Sequence, residues 1–221
     1  MSKIVLYGID LSPPVRACLL TLKALELDFE YKEVDLLKGE HMTEEFLKKN
    51  PQHTVPLLDD EGTLVWDSHA ICCYLVDKYA KSDELYPKDL VKRAAVNQRL
   101  FFEASVLFMS LRSVSVAFFF NNVTVVPKEK TGNIIEGYDL VETFLGDKPY
   151  IAGDELTIAD FCCAATVSTL PGIVPIDEAK YPKITAWLQR IAELPYYEEV
   201  NGVGAKKHIG IMKSSLTDVQ V

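Results

Sequence analysis

The sequence predicts a small α/β unit with a mixed sheet, followed by an all-helical unit. Three observations point there. Over the first 80 residues strand and helix patterns alternate in the order β-α-β-α-β-β-α. The polar stretch Lys81-Ser82-Asp83-Glu84 and the breaker pair Tyr86-Pro87 then interrupt the chain. Beyond them no strand pattern recurs, and apolar residues return at helical spacing.

Residues 3–7, Lys-Ile-Val-Leu-Tyr, read as a buried strand, and Gly8 to Ser12 as a loop. Pro13-Pro14 opens a helix, because proline in the first turn removes no needed hydrogen bond. Its apolar stripe is Val15, Cys18, Leu19, Leu22 and Leu25. Residues 29–34 alternate as a strand, and Glu44 to Lys49 form a short polar helix. Leu57-Leu58 and Leu64-Val65-Trp66 flank Asp59-Asp60-Glu61-Gly62 as the arms of a hairpin. Ser68 is placed to N-cap a helix carrying Ile71, Leu75 and Tyr79. A hairpin after a βαβ unit makes the sheet mixed, and this order is that of a thioredoxin-type unit. The division expected is residues 1–81 as the α/β domain, 82–88 as linker and 89–221 as the helical domain. Helices are expected over 88–120 (one long helix or a bent one), 128–145, 157–170 and 182–194. Residues 203–221 show little pattern.

Composition narrows the function. With 221 residues, 48% of them hydrophobic, the chain can bury a sizeable core. A net charge of −9 disfavours non-specific binding to nucleic acid or to an anionic membrane. The first apolar run, Ile4 to Tyr7, is too short for a secretory signal, and Glu103 and Arg112 break the stretch from Leu100 to Phe120. No secretory segment and no membrane span are therefore expected. The five cysteines, Cys18, Cys72, Cys73, Cys162 and Cys163, form no Cys-x-x-Cys and have no zinc-finger spacing with histidine. They read as reduced thiols of a cytoplasmic protein without a metal.

Three motifs carry candidate chemistry. In Asp10-Leu11-Ser12-Pro13-Pro14-Val15-Arg16, Ser12 lies between a strand end and a helix start. The hydroxyl there either caps the helix or donates to an anion favoured by the helix terminus. In Asn50-Pro51-Gln52-His53-Thr54-Val55-Pro56-Leu57, a cis bond at Pro56 would present the Val55 backbone for pairing, although only about 5–6% of such bonds are cis. In Asp67-Ser68-His69-Ala70-Ile71, a helix start suits a carboxylate and Asp67 suits an ammonium group. Plain capping is the alternative. His41 and His53 sit in polar loops, and Arg112 interrupts an apolar helix.

Together and in this order, with Gly153-Asp154-Glu155-Leu156-Thr157-Ile158-Ala159-Asp160 in the helical part, these motifs resemble the cytosolic glutathione transferases. The insect epsilon class is nearest and the delta class next. Thr157 and Asp160 have the spacing of a capping box, with Asp in place of Glu or Gln. The resemblance implies glutathione as co-substrate, a homodimer, and a detoxifying enzyme that conjugates glutathione to small hydrophobic electrophiles. Peroxidase, dehydrochlorinase and isomerase side activities would use the same thiolate. Ser12 would be catalytic, donating to the glutathione sulfur. His41, His53, Thr54, Val55, Pro56, Asp67, Ser68, His69 and Arg112 would bind glutathione. Ile9, Leu11, Leu36, Phe108, Leu111, Phe118 and Phe119 would line the electrophile pocket. Position 67 is Asp where many epsilon members have the longer Glu. The alternative is a non-catalytic binding or scaffold protein on the same fold. A cysteine-based reductase would need Cys, not Ser, at position 12.

Overall fold

A computed structural model describes residues 4–221, so Lys3 of the first expected strand lies outside the described residues. Strands β1 (Ile4–Gly8), β2 (Phe29–Glu33), β3 (Leu57–Asp60) and β4 (Thr63–Trp66) form one sheet in the order β2-β1-β3-β4. β2 runs parallel to β1, β3 antiparallel to β1, and β4 antiparallel to β3, which is the mixed sheet expected. Central β1 is buried along its whole length, as its unbroken Ile-Val-Leu-Tyr run requires. The hairpin turn is Glu61-Gly62, both with positive φ (53° and 89°), the two-residue geometry that matches strand twist.

Helix α1 (Pro13–Ala24) begins at the two prolines. It differs from the expected one-sided stripe: Arg16, Ala17, Leu20 and Thr21 are buried as well as Val15, Cys18, Leu19 and Leu22. The reason is that α1 packs on the sheet with one face and on α7 (Ile158–Val167) with the other, and α7 is itself buried at every position. Helix α2 (Glu44–Lys49) covers the opposite face of the sheet, anchored by Phe46 against Val5, Tyr7, Val34 and Leu57. Helix α3 (Ser68–Tyr79) packs beside α1.

The second part is built from α4 (Leu90–Phe102), α5 (Phe108–Asn121), α6 (Lys128–Leu145), α7, α8 (Pro182–Ala192) and α9 (Val203–Ser215). A π-helical turn, Glu103–Leu107, joins α4 to α5, and another, Glu198–Gly202, precedes α9. The run Leu90–Asn121 is long and apolar enough to cross a bilayer by length and composition. In the fold it packs one face into the core, burying Val96, Leu100, Leu107, Leu111 and Val114, while Leu90, Val91 and Phe101 stay exposed. The expected capping box forms: the Asp160 carboxylate accepts from the Thr157 amide at 2.9 Å, and also from the Ile151 amide at 2.8 Å and the Trp187 indole at 2.9 Å.

The second part is helical as expected, with one small addition. β5 (Val125–Val126) and β6 (Asp218–Val219) pair in parallel, so the chain's last residues return to the α5–α6 connection. Two-residue strands are too short to leave a period in the sequence. The unpatterned stretch 203–221 holds α9 and β6. The cysteines are free thiols, four of them buried and Cys73 half-buried.

Arg16 joins the two parts. Its side chain is fully buried, and all five N–H groups find acceptors. Nε donates to Asn201 Oδ1 at 2.9 Å, Nη1 to the carbonyls of Asp10 (2.9 Å) and Leu11 (3.1 Å), and Nη2 to the Ala165 carbonyl (3.0 Å) and to Thr169 Oγ1. Burial lowers its pKa to about 10, so it stays charged at neutral pH. Replacing it with Met leaves several buried carbonyls without a donor. Arg16→Met is expected to cost about 3–5 kcal/mol and lower Tm by about 10 °C. Calorimetry checks this, and a drop under about 3 °C would show that the acceptors find other partners.

Candidate active site

The strand register brings the three motifs to one end of the sheet. Tyr7 of β1 pairs with Leu57 of β3, and Leu57 pairs with Trp66 of β4. The loop leaving β1 (Ile9 to Ser12), the residues entering β3 (Val55-Pro56) and those leaving β4 (Asp67-Ser68) therefore lie side by side at that edge. The Val55-Pro56 bond is cis, where the motif by itself favoured an ordinary trans turn.

Ser12 occupies the N-cap position of α1, with extended backbone and no side-chain capping bond. The local sequence contributes to this. An N-cap hydroxyl accepts from the amide of the second or third helical residue; the second here is Pro14, which has no amide hydrogen, so only the Val15 amide could cap the helix in this way. Among the described residues the Ser12 hydroxyl makes no hydrogen bond with the protein, and it stands uncommitted at a helix N-terminus.

At α3 the assignment shifts by one residue. Asp67, not Ser68, is the N-cap: its Oδ1 accepts from the amides of His69 (2.9 Å) and Ala70 (3.3 Å). Ser68 is the first helical residue and is buried. Asp67 adopts φ +72°, a conformation that short polar side chains tolerate best. Its Oδ1 also meets His69 Nδ1 at 3.1 Å. Among the described residues these contacts all fall on Oδ1, so Oδ2 is open to an incoming donor.

His69, expected as a direct ligand, has both ring nitrogens engaged within the protein. Its Nε2 lies 2.7 Å from Oε2 of Glu103, a buried carboxylate on the π-helical turn of the second part. The Thr166 hydroxyl donates to the other Glu103 oxygen. Burial alone would lower the His69 pKa, but the bonds to Asp67 and Glu103 outweigh it and raise the pKa to about 10. The bond to His69 holds the Asp67 carboxyl below its ordinary value. Asp67, His69 and Glu103 thus form a carboxylate–imidazolium–carboxylate row that spans both parts of the chain.

His41 and His53 lie together, ring centroids 6.4 Å apart, and His53 has φ +48°. Among the described residues, Nδ1 of His41 is buried without a hydrogen-bond partner, and burial, reinforced by His53, lowers its pKa. A buried nitrogen of this kind is suited to a ligand's polar group. Thr54 is half-buried, and its carbonyl accepts from Asn50 Nδ2 at 2.9 Å, which ties the loop before Pro56. Arg112 is exposed on α5.

Of the expected pocket residues, Ile9, Leu11, Leu36, Phe108, Phe118 and Phe119 are half-buried. Phe118 and Phe119 meet edge to face at 4.9 Å. Leu111 is only 1% exposed and belongs to the core. Sequence reasoning missed Glu103, which read only as a charge breaking an apolar run. It also missed Arg16 as the join between the two parts, and His208.

The family described as the glutathione S-transferase N-terminal domain matches residues 6–83, and its C-terminal counterpart matches residues 102–195. The chain belongs to the glutathione S-transferase family. It is 49% identical to glutathione S-transferase 1 of Manduca sexta, covering 90% of this chain and 92% of that protein. It is 56% identical to an epsilon-class glutathione S-transferase of the housefly, Musca domestica, over 96% of this chain and 98% of that one, with a TM-score of 0.95. A glutathione transferase homologue from Drosophila mojavensis, solved with bound glutathione, is 53% identical over 99% and 100% of the two chains, with a TM-score of 0.96. Like these relatives the protein is a glutathione transferase, and glutathione is its co-substrate.

The His69 pKa sets a pH dependence. Its folded value, about 10, lies above the unfolded value near 6.5. The stability it contributes is full below about pH 6.5, declines above that and is lost as pH rises through 10. The Tm advantage of the native protein over His69→Gln should therefore shrink steadily from pH 6 to pH 9.5. A constant advantage across that range would show that His69 is neutral in the folded protein.

Proposed function

We propose that the enzyme joins the sulfur of reduced glutathione to small hydrophobic electrophiles through a thiolate stabilised by Ser12. The observation that carries this is the uncommitted Ser12 hydroxyl at the start of α1. A free cysteine thiol has a pKa of about 8.5, and lowering it by two units takes about 2.7 kcal/mol. A charge-assisted hydrogen bond of about 1.5–3 kcal/mol, with a helix terminus worth about 0.3–1, is enough. Ser12 Oγ–H donates to the sulfur, and the thiol proton leaves to solvent. The sulfur then attacks the electrophilic carbon, and the leaving group departs with the bonding pair.

In this reading Val55 pairs with the cysteinyl backbone of the tripeptide. Asp67 Oδ2 meets the γ-glutamyl ammonium, and the α3 N-terminus at Ser68 meets its carboxylate. His41 and His53 face the glycine carboxylate. Ile9, Leu11, Leu36, Phe108, Phe118 and Phe119 form the electrophile wall, and Arg112 lines the site between the two parts on the glutathione side. The activity is detoxifying and cytoplasmic, in keeping with free thiols at all five cysteines. The 56% identity to the housefly enzyme supports the epsilon class. The working division remains 1–81, linker 82–88 and 89–221.

Ser12→Ala is expected to lower kcat with a general aryl halide about 10- to 100-fold and return the bound thiol toward pKa 8.5. Unchanged turnover and unchanged thiol acidity would refute the assignment of Ser12. We also propose a homodimer. Phe101 on α4 is 73% exposed, with Leu90 and Val91 at the start of that helix exposed as well, an arrangement suited to a partner surface. Sedimentation should give a dimer, and Phe101→Asp should shift it toward monomer. A monomeric native enzyme would overturn the proposal.

A further inference from the structure

The loop that carries Ser12 is gripped from the far end of the chain. Helix α9 lies against it so closely that a Cβ at Gly204 would stand 2.3 Å from the Asp10 carbonyl oxygen. Lys207 pairs with the Asp10 carboxylate at 3.2 Å, both half-exposed, a contact of little energetic weight. The next residue, His208, one turn beyond Gly204, is buried, 3% exposed. Its Nδ1 lies 2.9 Å from the carbonyl oxygen of Leu11, and its Nε2 lies 3.4 Å from Ser115 Oγ on α5. Its ring meets Phe119 edge to face at 5.5 Å.

The partners assign the tautomer. A carbonyl only accepts, so Nδ1 carries the proton and donates to Leu11, leaving Nε2 to accept from the Ser115 hydroxyl. Burial, with the Arg16 guanidinium nearby, lowers the His208 pKa to about 4 despite the Leu11 contact, so the ring is neutral. The Leu11 carbonyl thus accepts twice, from His208 and from Arg16. On the other side of the same peptide, the Ser12 amide donates to the Ile9 carbonyl at 3.0 Å. The Leu11–Ser12 peptide is held at both its oxygen and its hydrogen, and that peptide sets the direction of the Ser12 side chain.

We propose that His208 is a positioning residue for the transfer reaction, aiming Ser12 through the Leu11 carbonyl and linking that aim to α5 through Ser115 and through Phe119 of the proposed electrophile wall. The inference rests on Ser12 acting on the glutathione sulfur. It adds that α9, from the end of the chain, takes part in tuning that sulfur.

Three variants separate aim from packing. His208→Asn places an N–H donor near the Nδ1 position, His208→Gln carries its amide one methylene further out, and His208→Phe keeps the ring against Phe119 without a donor. Each is measured for kcat, KM for glutathione, Tm, and the pKa of bound glutathione by thiolate absorbance. Gln and Phe are expected to lower kcat about 5- to 10-fold and to raise the bound thiol pKa, with KM for glutathione within about twofold. Asn is expected to retain most of the native kcat and thiol acidity. If Phe does not fold, the contrast between Asn and Gln decides. Native kcat and thiol pKa in Gln and Phe would overturn the proposal, as would equal losses in all three variants that track Tm. A native enzyme whose bound thiol is no more acidic than free glutathione would instead defeat the reading of Ser12 itself, and the inference with it.

Discussion

The buried guanidinium of Arg16 is the constraint on which the arrangement of the molecule depends. Moving a full positive charge out of water costs several kcal/mol unless every donor is met. The acceptors that meet it come from the Asp10–Leu11 loop, from α7 and its following turn, and from Asn201 on the π-helical turn before α9. Asn201 is oriented in turn by donating to Ser168 Oγ at 3.2 Å. Three segments distant in sequence must converge on one side chain for the charge to be tolerated. The loop bearing Ser12 is one of the three, so the requirement that docks the two parts of the chain also places the reactive hydroxyl.

The site is in this sense shared between the two parts. Its α/β side supplies the uncapped Ser12 hydroxyl at the start of α1 and a helix start capped by Asp67. Its helical side supplies Glu103, which holds His69 as a cation against Asp67, and His208, which holds the Leu11 carbonyl. Both π-helical turns fall where the helical part reaches across to the α/β part, at Glu103 and at Asn201. Such wide turns re-aim side chains that a regular helix would direct elsewhere.

Local patterns were read well where one element's own residues set its state. Pro13-Pro14 marked the start of α1, Glu44–Lys49 the short α2, Glu61-Gly62 the hairpin turn, and Thr157 with Asp160 the cap of α7. Patterns failed where the partner lay far along the chain. Glu103 faces a residue 34 positions earlier, Arg16 meets Asn201 185 positions later, and His208 meets Leu11 across 197. Ser68 and Asp67 are equally good caps by type. The choice between them followed from the backbone angle at the end of β4, which neighbouring residues do not report.

The order of elements, the hairpin turn and the start of α1 at Pro13-Pro14 are consequences of residues adjacent in the chain. Apolar period, turn residues and the proline pair act within a few positions. Which charges are buried, which of them stay ionised and what steadies the Ser12 loop were set by packing. The free energy of a buried charge depends on donors and acceptors within a few ångströms in space. Folding brings those groups together from segments that share no local signal.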